Sequence, residues 1–343
     1  MRKIRAIVYG VGSTGQDIAE YMLRSGIEIV GAIDADPEKV GSDLGDVIGV
    51  DRKLHVEVSD DADAVLSETN ADVAAVAVVT PMEEMYPHLA RCLENGVNAI
   101  TTSEEALYPW TTAPELTTRL DRKARENGVT ITGGGYQDIF WVNLVTMLTG
   151  AALEIDTIRG MGRFDIDDYG PVLAEHYFVD SSESAVREAI EEGDVPPSFF
   201  RMNLEAQISR LGLALESVDQ ETDPVIAEEE TECEALDETI SEGDVLGLRY
   251  VVDVATDAGI DFVGTEVAKV YGPDEVDVNE WTIDGTPEIH LRNDDVPTMV
   301  GTSTQIVNRV PDLLESEPGY VTVDQLPAPR FRPLSLEQYV DLR

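Results

Sequence analysis

The sequence predicts an α/β protein: a doubly wound parallel sheet at the N-terminal end, then a second α+β domain on an open, mainly antiparallel sheet. Three observations carry that prediction. Apolar runs of parallel-strand type alternate with helical patterns through residues 1–135. A glycine-rich turn joins the first run to the first helix. Beyond residue 135 the alternation stops, and longer strand-like stretches mix with helices.

The first strand, Ile4–Tyr9, passes straight into Gly10-Val11-Gly12-Ser13-Thr14-Gly15. A helix over Gln16–Ser25 follows, then a second strand, Ile27–Ile33, closed by Asp34. This order is the dinucleotide-binding fingerprint. Gly10 permits the tight turn, Gly12 lets the backbone approach a pyrophosphate, and Gly15 lets the helix pack on the strand. The first helical turn, with Ser13 and Thr14, faces the phosphates, and Asp34 accepts hydrogen bonds from the adenosine ribose. Residues 1–135 therefore read as a Rossmann domain for NAD(P)H. Further strands are expected at Val73–Val79, Ala99–Thr102 and Val129–Thr132, with helices at Ala62–Glu68, Pro87–Asn95 and Ala113–Asn127. Two of these helices end at Asn-Gly, a common stop.

The second domain is expected over residues 136–304. Tyr136–Thr149 reads as one apolar helix. Strand-like stretches follow at Leu153–Phe164, Val225–Leu236, Leu246–Thr256 and Glu280–Arg292, with helices at Ser182–Glu192 and Phe199–Leu213. The acidic stretch Glu216–Asp244 reads as a solvated hairpin with its loops. Residues 305–343 complete the helix Thr302–Leu314 and form a proline-rich tail that returns to the first domain.

Composition bounds the function. Among 343 residues, 24 basic face 68 acidic, a net charge of −44. The acids are dispersed over segments with normal apolar periodicity rather than gathered in a tail, and lysine is confined to Lys3, Lys39, Lys53, Lys123 and Lys269. Dispersed acid on an ordinary core is the pattern of a halophile, where screening relieves self-repulsion. No basic patch exists for nucleic acid. Cys92 and Cys233 make no disulfide framework, and scattered His55, His88, His176 and His290 make no metal site, so no metal is expected. No run is long and apolar enough to span a membrane, and the chain enters a strand at once, so a cytoplasmic protein is expected.

The chemistry belongs at the carboxyl ends of the parallel strands. Thr80-Pro81 is placed for the nicotinamide-side ribose, or is a plain strand-end turn. Glu104 and Glu105 follow a buried strand and precede Ala106-Leu107-Tyr108-Pro109-Trp110. A carboxylate there, partly desolvated, suits proton transfer; the alternative is a helix N-terminal acid, which describes one of the two. Gly133-Gly134-Gly135 reads as a close approach to the cofactor, with Gly135 in contact, or as a hinge. Tyr136, Gln137, Phe140 and Trp141 are candidate pocket residues, or interdomain core. In the second domain Arg163-Phe164-Asp165 and Glu175-His176-Tyr177 are candidate substrate contacts, with His176 a candidate proton shuttle.

Tyr9–Gly15, Val30–Gly41, Ser103–Trp110 and Gly133–Trp141 together resemble the dihydrodipicolinate-reductase-like proteins. Within that group they are most similar to the 2,4-diaminopentanoate dehydrogenases and native amine dehydrogenases. The resemblance covers the first domain and the helix after it, and more weakly Gln305–Pro333. It implies a homodimer formed through the second domain's sheet, and reversible oxidative deamination of a small amine with NAD(P)+. It also implies that a glutamate of the Ser-Glu-Glu segment, Glu104 or failing it Glu105, holds the amine or ammonia. The His-His pair and Lys-Asp-Ala-Pro-Ser-Gly-Thr loop of true dihydrodipicolinate reductases are absent, which points away from lysine biosynthesis; Tyr136-Gln137-Asp138 fits the amine dehydrogenase branch. Two other functions compete: a hydroxy-acid, semialdehyde or carbonyl oxidoreductase, which needs a Lys or His acid–base, and a non-catalytic NAD(P) sensor.

Overall fold

The computed structural model describes residues 2–294 and 296–342. The chain divides into two compact units, Met1–Asn143 with Pro297–Arg343, and Leu144–Val296. The expected boundaries lay at 135/136 and 304/305. The first unit therefore takes in the turn after Asp138 and the whole helix Thr298–Leu314.

The first unit holds strands β1 (Arg5–Tyr9), β2 (Glu28–Ile33), β3 (Val58–Ser59), β4 (Val73–Val76), β5 (Asn98–Thr101) and β6 (Thr130–Gly133). They run parallel in the order 3-2-1-4-5-6, and a short strand, Gly319–Tyr320, adds to β6 from the C-terminal segment. Strand order reverses between β1 and β4, the switch point where open α/β sheets bind ligands. Alternation along each strand feeds two cores. Ala6 and Val8 face helices Ser13–Arg24 and Thr298–Leu314 through Ile18, Met22, Ile306 and Val310. Ile7 and Tyr9 face the other side, where Met82, Met85, Leu89 and Leu120 pack.

The predicted helix at Pro87 in fact begins at Met82 and carries Pro87 in its interior. The ring removes one backbone donor, but Met82, Met85, Leu89 and Leu93 are buried on one face and hold the helix through it.

The second unit is a six-stranded sheet. Its strands are β7 (Glu154–Asp165), β8 (Leu215–Ile226), β11 (Val245–Thr256), β12 (Asp261–Lys269), β13 (Val278–Thr286) and β14 (Ile289–Asp294), with a small hairpin of β9 (Thr231–Cys233) and β10 (Glu238–Ile240). The order is 14-13-7-12-11-8, and only β7 and β12 pair in parallel. Gly160 and Gly264 open the gap that Phe200 and Trp281, stacked 5.6 Å apart, fill; a Cβ at either glycine would fall within 2.7 Å of a ring atom. The acidic stretch holds the expected hairpin in β9 and β10 but departs from expectation on either side of it. The strand expected at Val225–Leu236 is divided: Thr231–Cys233 belongs to the hairpin, and Leu215–Ile226 is an edge strand paired with β11 along its length. Its acids stay in water because an edge strand exposes both faces, so backbone pairing outweighs their weak strand preference.

Candidate active site

The carboxyl edge of the parallel sheet gathers the predicted cofactor residues. Gly10 has φ +92°, and a Cβ there would lie 2.1 Å from the carbonyl oxygen of Ala77 at the end of β4. A Cβ on Gly15 would lie 1.9 Å from the Gly10 carbonyl, so helix and turn touch backbone to backbone. Gly12 differs: its Cβ would meet nothing within 4 Å. Helix Ser13–Arg24 starts at Gly12 with no side-chain cap, so the N–H groups at Ser13, Thr14 and Gly15 face an open approach. That cradle fits a pyrophosphate.

Asp34 is locked to the turn it serves. Its Oδ2 accepts the Val11 N–H at 2.6 Å and its Oδ1 the Asp36 N–H at 2.9 Å. The Lys39 ammonium lies 3.7 Å from Asp34 and 3.2 Å from Asp36, a cation that sequence reading did not place there. Its signal was the acid-rich turn Asp34–Glu38 followed by one of few lysines.

Glu104 and Glu105 sit on a short turn after β5. The Glu105 carboxylate accepts the Met82 N–H at 2.7 Å, capping a helix remote in sequence rather than one of its own. The Ser103 hydroxyl donates to the Thr80 carbonyl, so Thr80-Pro81 and Ser103–Glu105 form one knot. From the far side Tyr320 donates its hydroxyl to the Ala106 carbonyl at 2.8 Å. Gly133, at the end of β6, presses on the same turn: its Cβ would lie 2.4 Å from Ala106 C. Glu104, half-buried, thus stands on a turn held from three sides.

After β6 the backbone runs through Gly134 and Gly135 into a π-helical turn, Asp138–Asn143, continuous with helix Leu144–Thr149. The predicted apolar helix is present with this wider turn inside it. Tyr136 lies edge-on to Trp141 at 5.5 Å and tilted to Phe140 at 6.3 Å; Gln137 and Trp141 are buried. Asp138, completely buried, bonds to Arg309, Gln305 and Asn143. Sequence reading passed over this set. Its trace was the spacing of Gln305 and Arg309, two long polar side chains among Ile306, Val307 and Val310.

In the second unit Tyr177 donates its hydroxyl to buried Glu266 at 2.9 Å, while Ser198 donates to the other carboxylate oxygen at 2.6 Å. Burial pushes Glu266 toward its protonated form, against the pull of these hydroxyls and of the N–H groups of Phe199 and Phe200. Phe164 and His176 lie edge-on to the Tyr177 ring at 6.1 and 5.7 Å. Arg163 pairs with Glu275 at 3.3 Å. Asp165, bonded to the N–H groups of Asp167 and Tyr271, is pushed up to about 6, chiefly by burial. No cluster of His, Cys, Asp and Glu suited to a metal occurs among the described residues, nor any helix able to cross a membrane.

Residues 140–340 match the 2,4-diaminopentanoate dehydrogenase C-terminal domain, and residues 1–105 match the CoA binding domain. The chain belongs to the 2,4-diaminopentanoate dehydrogenase C-terminal domain family. A solved amine dehydrogenase from Mycobacterium smegmatis is 45% identical, with a TM-score of 0.93 over 97% of this chain and 98% of that one. The 2,4-diaminopentanoate dehydrogenase of Acetoanaerobium sticklandii is 26% identical over 98% of this chain and 99% of its own length. An amine dehydrogenase from Streptomyces virginiae is 30% identical over 51% of this chain and 50% of its own. The α/β fold is that of the solved amine dehydrogenase. These relatives are amine and 2,4-diaminopentanoate dehydrogenases, which supports the class read from the sequence, an oxidoreductase acting on CH–NH2.

Proposed function

We propose that this chain is an NAD(P)-dependent amine dehydrogenase that interconverts a small amine with a ketone or aldehyde and ammonia, using Glu104 as its acid–base group. One observation carries the assignment: Glu105 is spent on capping the Met82–Glu94 helix, and in doing so fixes the turn on which Glu104 stands. The cofactor, when bound along Gly10, Gly12, Ser13, Thr14, Gly15, Asp34, Thr80, Pro81 and Gly135, supplies the hydride acceptor or donor. Hydride leaves only a neutral amine, so Glu104 must first take the ammonium proton. In the reverse direction the same carboxylate orients ammonia toward the carbonyl carbon and returns a proton to the departing hydroxyl. Buried Ala106 and Leu107 keep the turn dry and strengthen the interaction of the carboxylate with an iminium.

Tyr136, Gln137, Phe140 and Trp141 are the proposed substrate contacts of the first unit; Phe164, His176 and Tyr177 are those of the second. The proposal extends to a metal-free homodimer in the cytoplasm of a salt-accumulating cell. The dispersed charge of −44 supports the salt. The half-buried side chains Met161, Val263, Thr265 and Val267 on one face of the second sheet support the dimer.

The test is NADH and NADPH oxidation in multimolar KCl against small ketones and aldehydes, with and without ammonium. Ammonium-dependent oxidation yielding an amine is expected. Oxidation that ignores ammonium would make the protein a carbonyl reductase, and cofactor binding without turnover would make it a sensor.

A further inference from the structure

We propose that Gln305, Asp138 and Arg309 are positioning residues that fix the Gly134–Gly135 backbone against the nicotinamide end of the cofactor, an inference that rests on the nicotinamide reading above. Thr302, Gln305 and Arg309 fall at i, i+3 and i+7 on helix Thr298–Leu314, among buried Ile306, Val307 and Val310. Polar groups on a buried helix face are unfavourable unless fully bonded. All three find partners in one short segment. The Thr302 hydroxyl accepts the Tyr136 N–H at 3.3 Å, and Gln305 Oε1 accepts the Gly135 N–H at 2.7 Å. Arg309 donates Nε and Nη2 to the two Asp138 oxygens at 2.7 and 3.0 Å.

Gln305 links the two contacts, because its Nε2 donates to Asp138. That decides which way the amide faces. Flipped, it would set its carbonyl against a carboxylate and its NH2 against the Gly135 N–H. Asp138 is held in turn by Asn143 at 2.7 Å and by the guanidinium. Burial works against charge on Arg309, but Asp138 and Asp312 outweigh it and keep the guanidinium protonated.

A buried ion pair is a poor device for stability, since apolar replacements of similar shape often do as well. Its distinctive product is a single orientation, and what is oriented here is the glycine run at the carboxyl end of β6. A Cβ on Gly134 would lie 2.8 Å from Gln305 Oε1, so the backbone rests directly on the amide. The three side chains touch no reacting atom; they act through that backbone.

The experiment compares Gln305→Leu and Gln305→Glu in the full-length protein, reading amide exchange over residues 134–138, bound-NADH fluorescence and ammonium-dependent kcat. Gln305→Leu is expected to expose the Gly135 amide to exchange, alter the fluorescence of bound NADH and lower kcat by about 10²-fold, with NADH affinity close to the parent's. Gln305→Glu keeps the acceptor for Gly135 but sets a second carboxylate against Asp138. Its bound-NADH fluorescence is expected to differ from the parent's, because like charges now meet where Gln305 donated to Asp138. Parental exchange and parental bound-NADH fluorescence in both variants would overturn the proposal. If the leucine variant does not fold, a folded glutamate variant with parental fluorescence and parental exchange does so alone. A parent enzyme without ammonium-dependent turnover would refute the amine reading and leave exchange and fluorescence to decide this one.

Discussion

Replacing Gly133 by alanine tests whether the turn bearing Glu104 is the place where chemistry happens. The added Cβ would lie 2.4 Å from Ala106 C, 2.5 Å from Ala106 O and 2.6 Å from Leu107 N. All three are backbone atoms, so no rotamer change relieves the clash. Carbon contacts settle near 3.5 Å, and the turn must therefore retreat by roughly 1 Å. It cannot do so freely, being tied to Met82 through Glu105 and to Tyr320 through Ala106. Overpacking of this kind costs about 1–3 kcal/mol, a fall of roughly 2–4 °C in Tm per kcal/mol for a domain of this size. A displacement of about 1 Å at a reacting group costs on the order of 10²-fold in rate. Thermal melting, NADH titration by fluorescence and ammonium-dependent NADH oxidation separate the effects. The expected result is a folded protein that binds NADH and turns over about a hundredfold more slowly. Gly12→Ala is the control, because its Cβ meets no protein atom: it should melt with the parent yet bind NADH poorly. Parental kcat in folded Gly133→Ala would refute the placement of the catalytic turn.

Glu104→Gln should lower kcat by about 10²–10⁴-fold while NADH titrates normally; near-parental turnover would remove Glu104 from the mechanism. Glu105→Ala should instead lose about 1 kcal/mol of helix capping, seen as a lower denaturation midpoint, and a parental midpoint would contradict that role. Asp165 titrates at about 6 in the fold against an ordinary 3.8. The folded state holds its proton more tightly, so the stabilisation is complete below the ordinary value and disappears as pH rises through about 6. Asp165→Asn should therefore be more stable than the parent at neutral pH by about 1–2 kcal/mol after allowance for solvent at a half-buried site, with the gap closing in acid. Denaturation midpoints that move in parallel across that range would sink the assignment.

The parallel sheet was legible because its evidence is local. Each βα unit carries its own apolar run, its own helix and its own stop, and Gly10–Gly15 lies entirely between β1 and the helix after it. The second sheet was only half legible. β12 was passed over, its run diluted by Gly264, Thr265 and Glu266. β8 was missed because the acidic stretch read as a solvated hairpin with its loops, when edge pairing with β11 is decided by a partner strand that local composition does not show. The division of labour between Glu104 and Glu105 was open for the same reason: the helix that Glu105 caps begins at Met82, and nothing between them announces the contact. Asp138 and Arg309 lie further apart still, and only two long polar side chains among Ile306, Val307 and Val310 hinted at them.

Asp138 and Glu266, one in each unit, are both buried completely, and the chain accommodates them in opposite ways. Asp138 is neutralised by a guanidinium. Glu266 is surrounded by Tyr177, Ser198 and the first N–H groups of helix Phe199–Arg210, hydroxyl and amide dipoles in place of a cation. Neither arrangement feels the solvent. Exposed pairs such as Arg24–Glu20 and Arg187–Glu183 do, because in molar salt the screening length falls to about 3 Å. On the proposed reading, salt acts on this protein through its surface, relieving repulsion among dispersed acids, while the buried contacts of Asp138 and Glu266 keep their strength. Dilution of KCl should accordingly lower the global stability without loosening the Gly135 amide in advance of it. A site that softened before the fold did would place its positioning contacts on the screened side of that division.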